Sequence, residues 1–384
     1  MVLLALVSYV SSPVGDDTRT PYSAWEHGLS SAPSFFPIAV WLQDPSTAEQ
    51  YKAAGVNLYV GLWEGPTEEQ LAKLRAAGMR VVCDQNEVGL KHLDDPVIAG
   101  WMHGDEPDNA QSLGEGKGYG PPILPEKIMA DYKRIRVADT SRPILLNLGQ
   151  AVAWDNYIGR GVRRNHPEDY PEYAKGGDIV SFDIYPVTSP YPEIRGNLWY
   201  VARGVDRLRG WAGGKKIVWN CIECTRISSD RKATPDQVRA EVWMSLIHGS
   251  RGIIYFVHEW KPAFNEHALL DDPEMLAAVT RLNGQIRELA PVLNSPELTG
   301  AVRAESSNPD VPVDCTARRL GKDIYVFAAA MRDGAATARF QFNVVETATV
   351  KVIDEGRTVE VRGGSFEDAF GPWGVHLYRI VSKR

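Results

Sequence analysis

The chain has 384 residues, of which 44% are hydrophobic and 24% are charged. These proportions are typical of a globular protein with a substantial core, and the length leaves room for one large domain and a smaller module. Lys and Arg number 42 against 49 Asp and Glu, a formal net charge of −7, which disfavours a nucleic-acid-binding surface. No run reaches the ~20 apolar residues that span a bilayer, so we expect a soluble protein without membrane partners.

The N-terminal segment, residues 1–35, opens with the apolar run Met1–Val10. The run is short and lacks the basic residues that begin a secretory signal. We therefore expect an ordered strand, with the tail of a signal peptide as the alternative. The compartment stays open, and a secreted or periplasmic location is favoured over a cytoplasmic one.

Eight apolar, strand-like runs alternate with helical segments across residues 36–297. Capping-box patterns at Thr67–Gln70 and Thr234–Gln237 mark two helix starts. Near-continuous apolar strands that alternate with helices predict a parallel sheet, and eight of them close a (β/α)₈ barrel. The runs are Phe36–Leu42, Val56–Leu62, Met79–Gln85, Ile98–Gly104, Pro143–Leu148, Ile179–Tyr185, Ile217–Glu223 and Ile253–His258.

Residues 298–384 have a different pattern, in which short strands are separated by Gly and Asp turns. Arg339–Val344 alternates apolar and polar residues strictly, which is typical of a strand with one wet face. Similar strands are predicted at Asp323–Ala329, Thr349–Ile353, Thr358–Arg362 and Val375–Val381. This region therefore predicts an antiparallel β-sandwich.

The active site of such a barrel lies where the strands end, and these positions are rich in carboxylates, amides and Trp. Glu106 follows the fourth strand and Glu223 ends the seventh. The two strands face each other across the mouth, so both side chains could reach one substrate. Hydrolysis of a glycosidic bond needs two such carboxyls, one to protonate the leaving oxygen and one to attack the sugar. The alternative for Glu106 is an exposed charge near a helix start.

This layout resembles the clan A glycoside hydrolases, a (β/α)₈ superfamily that includes family 5 and family 42 β-glycosidases. The resemblance covers residues 36–290 and rests on short motifs. It implies that Glu106 is the acid/base and Glu223 the nucleophile of a retaining enzyme, which cleaves a β-linked oligo- or polysaccharide without a cofactor or metal. Tyr185 matches the Tyr that bonds the nucleophile, and Trp260 matches the Trp beneath the reacting sugar. The carboxyls of a retaining pair lie ~5–5.5 Å apart.

One residue departs from the clan pattern, because Asp105 stands where the clan has Asn. An ionised Asp only accepts hydrogen bonds, so recognition of the sugar 2-hydroxyl does not carry over. A negative Asp105 beside Glu106 would also raise the pKa of the acid.

Further candidates for substrate binding are Trp63, His103 and Asn147, each at or near a strand end. His103 alternates with Trp101 and Asp105, which predicts that it points into the barrel mouth; a hydrogen-bonded core histidine is the alternative. Asp183 is expected to pair with a barrel Arg or Lys, and a bond to the substrate is the alternative.

Two other functions remain open at this point. One is a metal-dependent lyase or aldolase with Asp84, His103, Asp105 and Glu106 as ligands. The other is a barrel that binds carbohydrate without catalysis. The Cys221-x-x-Cys224 pair has no companion ligands at metal spacing, so packing is the favoured interpretation.

Overall fold

The computed structural model describes residues 20–227 and 229–381. The run Met1–Val10, for which a strand is predicted, lies outside the described residues. A parallel sheet forms the first part of the chain, in which β1 pairs with both β2 and β9. It closes into a barrel because its two edges, β7 and β8, are consecutive pieces of one strand. Its strands are β1 Ile38–Trp41, β2 Leu58–Val60, β3 Arg80–Asp84, β4 Ile98–Met102, β5 Ile144–Leu148, β6 Ile179–Phe182, β7 Ile217–Val218, β8 Asn220–Glu223 and β9 Ile253–Phe256.

All eight predicted barrel strands are present, and the seventh is divided at Trp219. Its first piece, β7, pairs with β6, whereas its second piece, β8, pairs with β9. Trp219 lies in the barrel interior, where its indole N–H donates to the Tyr22 hydroxyl at 2.9 Å. The barrel is therefore an eight-stranded one in which one strand changes partner halfway.

In the part of the chain that the structure describes, seven α-helices accompany the barrel strands: α1 Ala48–Ala53, α2 Glu68–Ala77, α3 Pro125–Ala138, α4 Tyr170–Tyr173, α5 Trp199–Trp211, α6 Pro235–Ile247 and α7 Pro273–Leu293. Both predicted capping boxes form, at Thr67 for α2 and at Thr234 for α6. Gly78 ends α2 in the left-handed conformation, with φ of 63°, which a residue without Cβ adopts at little cost. Within the described residues, none of the helices is both long and apolar enough to cross a membrane.

The C-terminal part contains two antiparallel sheets, as predicted for a β-sandwich. One has the order β10-β13-β16 and the other β11-β12-β17-β14-β15. Phe327 of the second sheet packs against Trp243 of α6, with ring centroids 5.0 Å apart, so this sheet lies on the barrel helices. The strands are β10 Val302–Ser306, β11 Val313–Leu320, β12 Asp323–Ala330, β13 Ala336–Phe342, β14 Ala348–Val352, β15 Arg357–Val361, β16 Ser365–Phe370 and β17 Val375–Ile380.

Candidate active site

A cavity of about 730 Å³ opens at the carboxyl ends of the barrel strands. Its deep part carries three carboxylates, Asp105, Glu106 and Asp183, and its rim carries Asp44 and Glu266. No Lys or Arg is among the described residues that line it. The other lining residues are Trp41, Leu42, Gln43, Trp63, Gln70, Gln150, Tyr157, Tyr185, Ile227, Phe256, His258, Trp260 and Phe264.

Glu106 reaches this cavity through a turn that follows β4. Its φ is 41°, a left-handed value that non-glycine residues rarely adopt, and such strain often occurs at functional sites. The side-chain amide of Asn109 donates to Glu106 Oε2 at 2.8 Å. The turn therefore directs Glu106 to the cavity and Asn109 holds its carboxyl.

Asn147 of β5 connects Asp105 to Asp183. Its Nδ2 donates to Asp105 Oδ1 at 2.9 Å and to Asp183 Oδ1 at 3.1 Å, while its Oδ1 accepts from the Ser181 hydroxyl at 2.6 Å. The two hydrogens of a planar amide diverge, which places the two acceptor oxygens about 5 Å apart. One buried amide thus sets the spacing of two carboxylates from different strands.

Asp183 receives a second hydrogen bond, because the Tyr185 hydroxyl donates to its Oδ2 at 2.9 Å. The ring of Tyr185 in turn packs on Phe256, with centroids 5.2 Å apart. Asp183 was predicted to pair with an Arg or Lys; instead, neutral donors hold it. Two hydrogen bonds to the charged form favour an ionised Asp183 relative to its neighbours.

Burial raises the pKa of all three deep carboxyls, and their mutual repulsion adds to it. The pKa of Glu106 lies well above its usual value, because of burial and then the charges of Asp183, Asp105 and Asp108. Burial and the charge of Asp183 raise the pKa of Asp105 to about 7, although its side chain opens to the water of the cavity. The pKa of Asp183 is also raised, and its hydrogen bonds oppose the shift. Near neutral pH the site therefore retains at least one proton.

Aromatic side chains cover the mouth of the cavity. Trp63 is 71% exposed and Trp260 is 51% exposed, and Trp260 packs on Phe264 with centroids 4.7 Å apart. Large exposed aromatic groups beside a cleft are typical of binding surfaces. Their flat faces suit the apolar C–H side of a sugar ring.

The structure corrects the predicted position of Glu223. Its side chain is fully buried at the end of β8 and does not line the cavity. The backbone N–H groups of Val187 and Thr188 donate to its two carboxylate oxygens, at 2.6 and 2.9 Å. Tyr185 consequently bonds Asp183 and not Glu223, so the predicted retaining pair of Glu106 and Glu223 does not share this site.

His103 also differs from its prediction, because it faces the helices and not the barrel mouth. Trp101 packs in the outer core between sheet and helices, and His103, two residues on, lies on the same side. Its Nε2 bonds the carbonyl of Gly176 at 2.8 Å. Neither His103 nor Asp84 lines the cavity, so the four residues of the alternative metal site are not brought together.

Of the predicted substrate-binding residues, Trp63, Asp105, Tyr185 and Trp260 line the cavity, and Asn147 lies behind it. Sequence reasoning did not select eight further polar residues of the lining. Four of them lie at or directly after predicted strand ends, which was the available signal: Gln43, Asp44, Asp183 and His258. The other four come from loops or helices without such a signal: Gln70, Gln150, Tyr157 and Glu266.

No protein-family model and no curated protein matches this sequence. Solved structures match its fold over nearly the whole chain. The α-amylase of Geobacillus thermoleovorans, complexed with acarbose, is 10% identical with a TM-score of 0.55, over 94% of this chain and 100% of that one. A putative α-galactosidase/melibiase of Bacteroides fragilis is 11% identical with a TM-score of 0.55, over 91% and 80%.

A third similar structure is a GH27 β-L-arabinopyranosidase variant of Geobacillus stearothermophilus, in complex with arabinose. It is 10% identical with a TM-score of 0.51, over 91% of this chain and 98% of that one. All three proteins are named as enzymes that act on glycosides. At such low identity the likeness establishes the fold, a (β/α)₈ barrel followed by a β-sandwich, which confirms the predicted architecture.

Proposed function

We propose that the protein is a retaining glycoside hydrolase that works without a cofactor. The observation that carries this proposal is the set of three carboxylates, Asp105, Glu106 and Asp183, which line one aromatic cavity at the barrel mouth. Protonation of a leaving oxygen and attack on a sugar require two carboxyls of unequal pKa. The solved structures with this fold, named as glycosidases, agree with the proposal.

In this proposal Asp183 is the nucleophile, in place of Glu223. Its two oxygens accept from Tyr185 and Asn147, which favours the ionised form that a nucleophile needs. Glu106 keeps its predicted role as the acid/base, because burial and then the neighbouring negative charges raise the pKa of its carboxyl, as a proton donor requires.

The reaction then runs in two displacements. An Asp183 oxygen bonds the anomeric carbon while the bond to the leaving oxygen breaks, and Glu106 gives that oxygen its proton. Glu106, now ionised, takes a proton from water. The resulting hydroxide attacks the anomeric carbon and releases Asp183 as a carboxylate.

A second candidate for the acid/base is Asp105. Its carboxylate and that of Asp183 accept from one Asn147 amide, and their oxygens are therefore about 5 Å apart, the spacing of a retaining pair. Its pKa near 7 also suits a proton donor. Variants of both residues separate the two assignments.

The test is a panel of α- and β-linked aryl glycosides, each with a good and a poor leaving group. The β-linked preference comes from the sequence resemblance, and the panel decides it. Glu106→Gln should lower kcat/KM by about 10²–10⁴-fold on poor leaving groups and much less on good ones, whereas Asp183→Asn should abolish both. If Asp105→Asn shows the leaving-group pattern instead, Asp105 is the acid/base. Full activity of Asp183→Asn would overturn the proposal.

A further inference from the structure

Three acceptor groups lie at one end of the cavity, away from the deep carboxylates. These are Asp44, which follows β1, His258, which follows β9, and Glu266; we refer to them as the rim acceptors. Glu266 Oε1 accepts from the backbone N–H of Asp44 at 2.8 Å. This bond fixes the two carboxylates side by side at the mouth.

His258 presents a lone pair at this end of the cavity. Its Nε2 lies 3.2 Å from the carbonyl oxygen of Leu42, and since a carbonyl only accepts, Nε2 carries the hydrogen. The residue is only 5% exposed, and its Nδ1 bonds no other group within the part of the chain that the structure describes. Burial lowers the pKa of His258, so the ring stays neutral and Nδ1 remains a free acceptor.

The neighbouring amide of Gln43 offers these acceptors at most one donor. Its Nε2 donates to the backbone carbonyl of Glu266 at 2.6 Å, and its Oε1 accepts from the Tyr51 hydroxyl at 2.6 Å. One N–H of the amide is therefore left for three acceptor groups. A ligand at this end meets a carboxylate, a second carboxylate and an imidazole lone pair.

Among the described residues, no Lys or Arg lines this end of the cavity. The pKa of Asp44 lies below its usual value, because the hydroxyl and N–H of Ser46 stabilise its carboxylate and the charge of Lys73 adds to this effect. Lys73 itself lies 2.8 Å from Glu69 and does not line the cavity. The nearby cation Arg226 lies 3.2 Å from Glu259 and does not line the cavity. An anionic sugar would be repelled here, whereas an ammonium group brings three donors, no acceptor and the opposite charge. The faces of Trp260 and Phe264 beside it attract cations as well.

From this arrangement we infer that the substrate carries a protonated amine, as in a glucosamine-containing oligosaccharide, and that the rim acceptors bind it. The inference rests on the proposed function, since it names the substrate class of the same site. It does not depend on which deep carboxylate donates the proton.

The test compares three matched oligosaccharides with equal backbone and linkage, one with free amines, one N-acetylated and one with hydroxyls. We expect kcat/KM to be about tenfold or more higher for the free amine, the effect of one favourable ion pair. The preference should fall as salt rises. Glu266→Gln, which keeps the shape but removes the charge, should raise KM for the amine substrate and leave kcat nearly unchanged.

The control is Glu49→Gln, which removes an exposed carboxylate of α1 that does not line the cavity. The inference would be overturned by an equal or lower kcat/KM for the free amine, or by a Glu266→Gln variant with unaltered selectivity. In either case, hydrolysis of neutral sugars would leave the proposed function intact. If no glycoside in the panel is cleaved, the proposed function fails. Calorimetric titration with the glucosamine oligomer then tests the rim acceptors separately, and no measurable binding contradicts the inference as well.

Discussion

The carboxylate of Glu223 accepts hydrogen bonds from the backbone of Thr188 and its neighbour. The N–H of Thr188 lies 2.9 Å from Glu223 Oε2, and the N–H of Val187 lies 2.6 Å from Oε1. The held segment directly follows Asp183 and Tyr185 in the chain. Glu223 is thus a positioning residue for the strand end that carries the proposed nucleophile. Its burial, which would be costly without partners, is explained by these two bonds.

Glu241 of α6 completes this arrangement. Its carboxyl lies next to that of Glu223, and burial together with that neighbour raises its pKa well above the usual value. Neither of its oxygens has a hydrogen-bond partner among the described residues. Two ionised carboxylates are not stable side by side in a buried site, so Glu241 keeps its proton beside Glu223.

Glu223→Gln should therefore misplace the Asp183 segment without removing a reacting group. An amide nitrogen would replace one acceptor, and a shift of about 1 Å can cost roughly 10²-fold in rate. We expect kcat to fall by about that factor on substrates with good and poor leaving groups alike. Glu241→Gln, which stays neutral like the protonated acid it replaces, is the matched control and should retain most activity. Complete loss in Glu223→Gln, together with rescue by an added anion such as azide, would instead mark Glu223 as the nucleophile.

Asp105→Asn should move the alkaline limb of the pH–rate profile to lower pH. The charge of Asp105 is one cause of the raised pKa of Glu106, and a neutral amide makes the Glu106 proton easier to lose. The measurement is kcat/KM across pH 4–9 for the wild-type protein and the variant. An alkaline limb that does not move would mean that Asp105 has no electrostatic effect on the proton donor.

Trp63→Ala and Trp260→Ala should weaken binding more than catalysis. Both rings stand at the mouth and are largely exposed, so stability should change little. We expect KM to rise by about tenfold with kcat nearly constant, the pattern of lost uniform binding. Tyr119→Ala is the control, since Tyr119 is 76% exposed and does not line the cavity. Unchanged KM in both Trp variants would show that the aromatic rim does not contact substrate.

His248 should make stability pH-dependent at the junction of barrel and sandwich. Its Nδ1 lies 2.8 Å from Asp206 of α5 and its Nε2 lies 3.2 Å from Asp314 of β11. These carboxylates raise its pKa from 6.5 to about 9, which corresponds to roughly 3 kcal/mol at most. Because the pKa is raised on folding, this stabilisation is complete below pH 6.5 and is lost as pH rises through 9.

The check is the free energy of unfolding of the wild-type protein and of His248→Gln at pH 6 and pH 9.5. The difference between them should be largest at pH 6 and small at pH 9.5. The control is His166→Gln, because the imidazole of His166 pairs with Glu168 at the surface. An equal difference at both pH values would rule out the charged bridge.

The barrel was predictable because each strand is an apolar run and because capping boxes at Thr67 and Thr234 and the left-handed Gly78 mark helix ends. The division of the seventh strand at Trp219 was not predictable. Trp219 is an apolar residue within an apolar run, and such a run gives no sign that the strand changes its pairing partner. In the sandwich, β10, β11 and β16 were missed because their alternation of apolar and polar residues is weak. Val302–Ser306 is polar at most positions, Val313–Leu320 holds the adjacent pair Arg318 and Arg319, and Ser365–Phe370 holds the adjacent pair Glu367 and Asp368.

The site was predictable to the level of strand ends and not to the direction of each side chain. The turn after β4 reverses the regular alternation, so His103 faces outward while Asp105 reaches the cavity. The hydrogen bonds that hold Glu223 come from the backbone N–H groups of Val187 and Thr188, which follow β6. Backbone groups leave no signal in side-chain patterns. Asp183 could have been found from its position after the sixth strand, but its neutral partners, Asn147 and Tyr185, were not foreseeable as a network.

The most direct test of the central claim is covalent trapping of the nucleophile. A 5-fluoroglycosyl fluoride of the sugar that the panel identifies forms a glycosyl ester that accumulates in a retaining enzyme, and peptide mass spectrometry locates it. We predict that the label is on Asp183, with retained anomeric configuration in the product. A label on Glu223, or a product of inverted configuration, would contradict the assignment of Asp183 as the nucleophile.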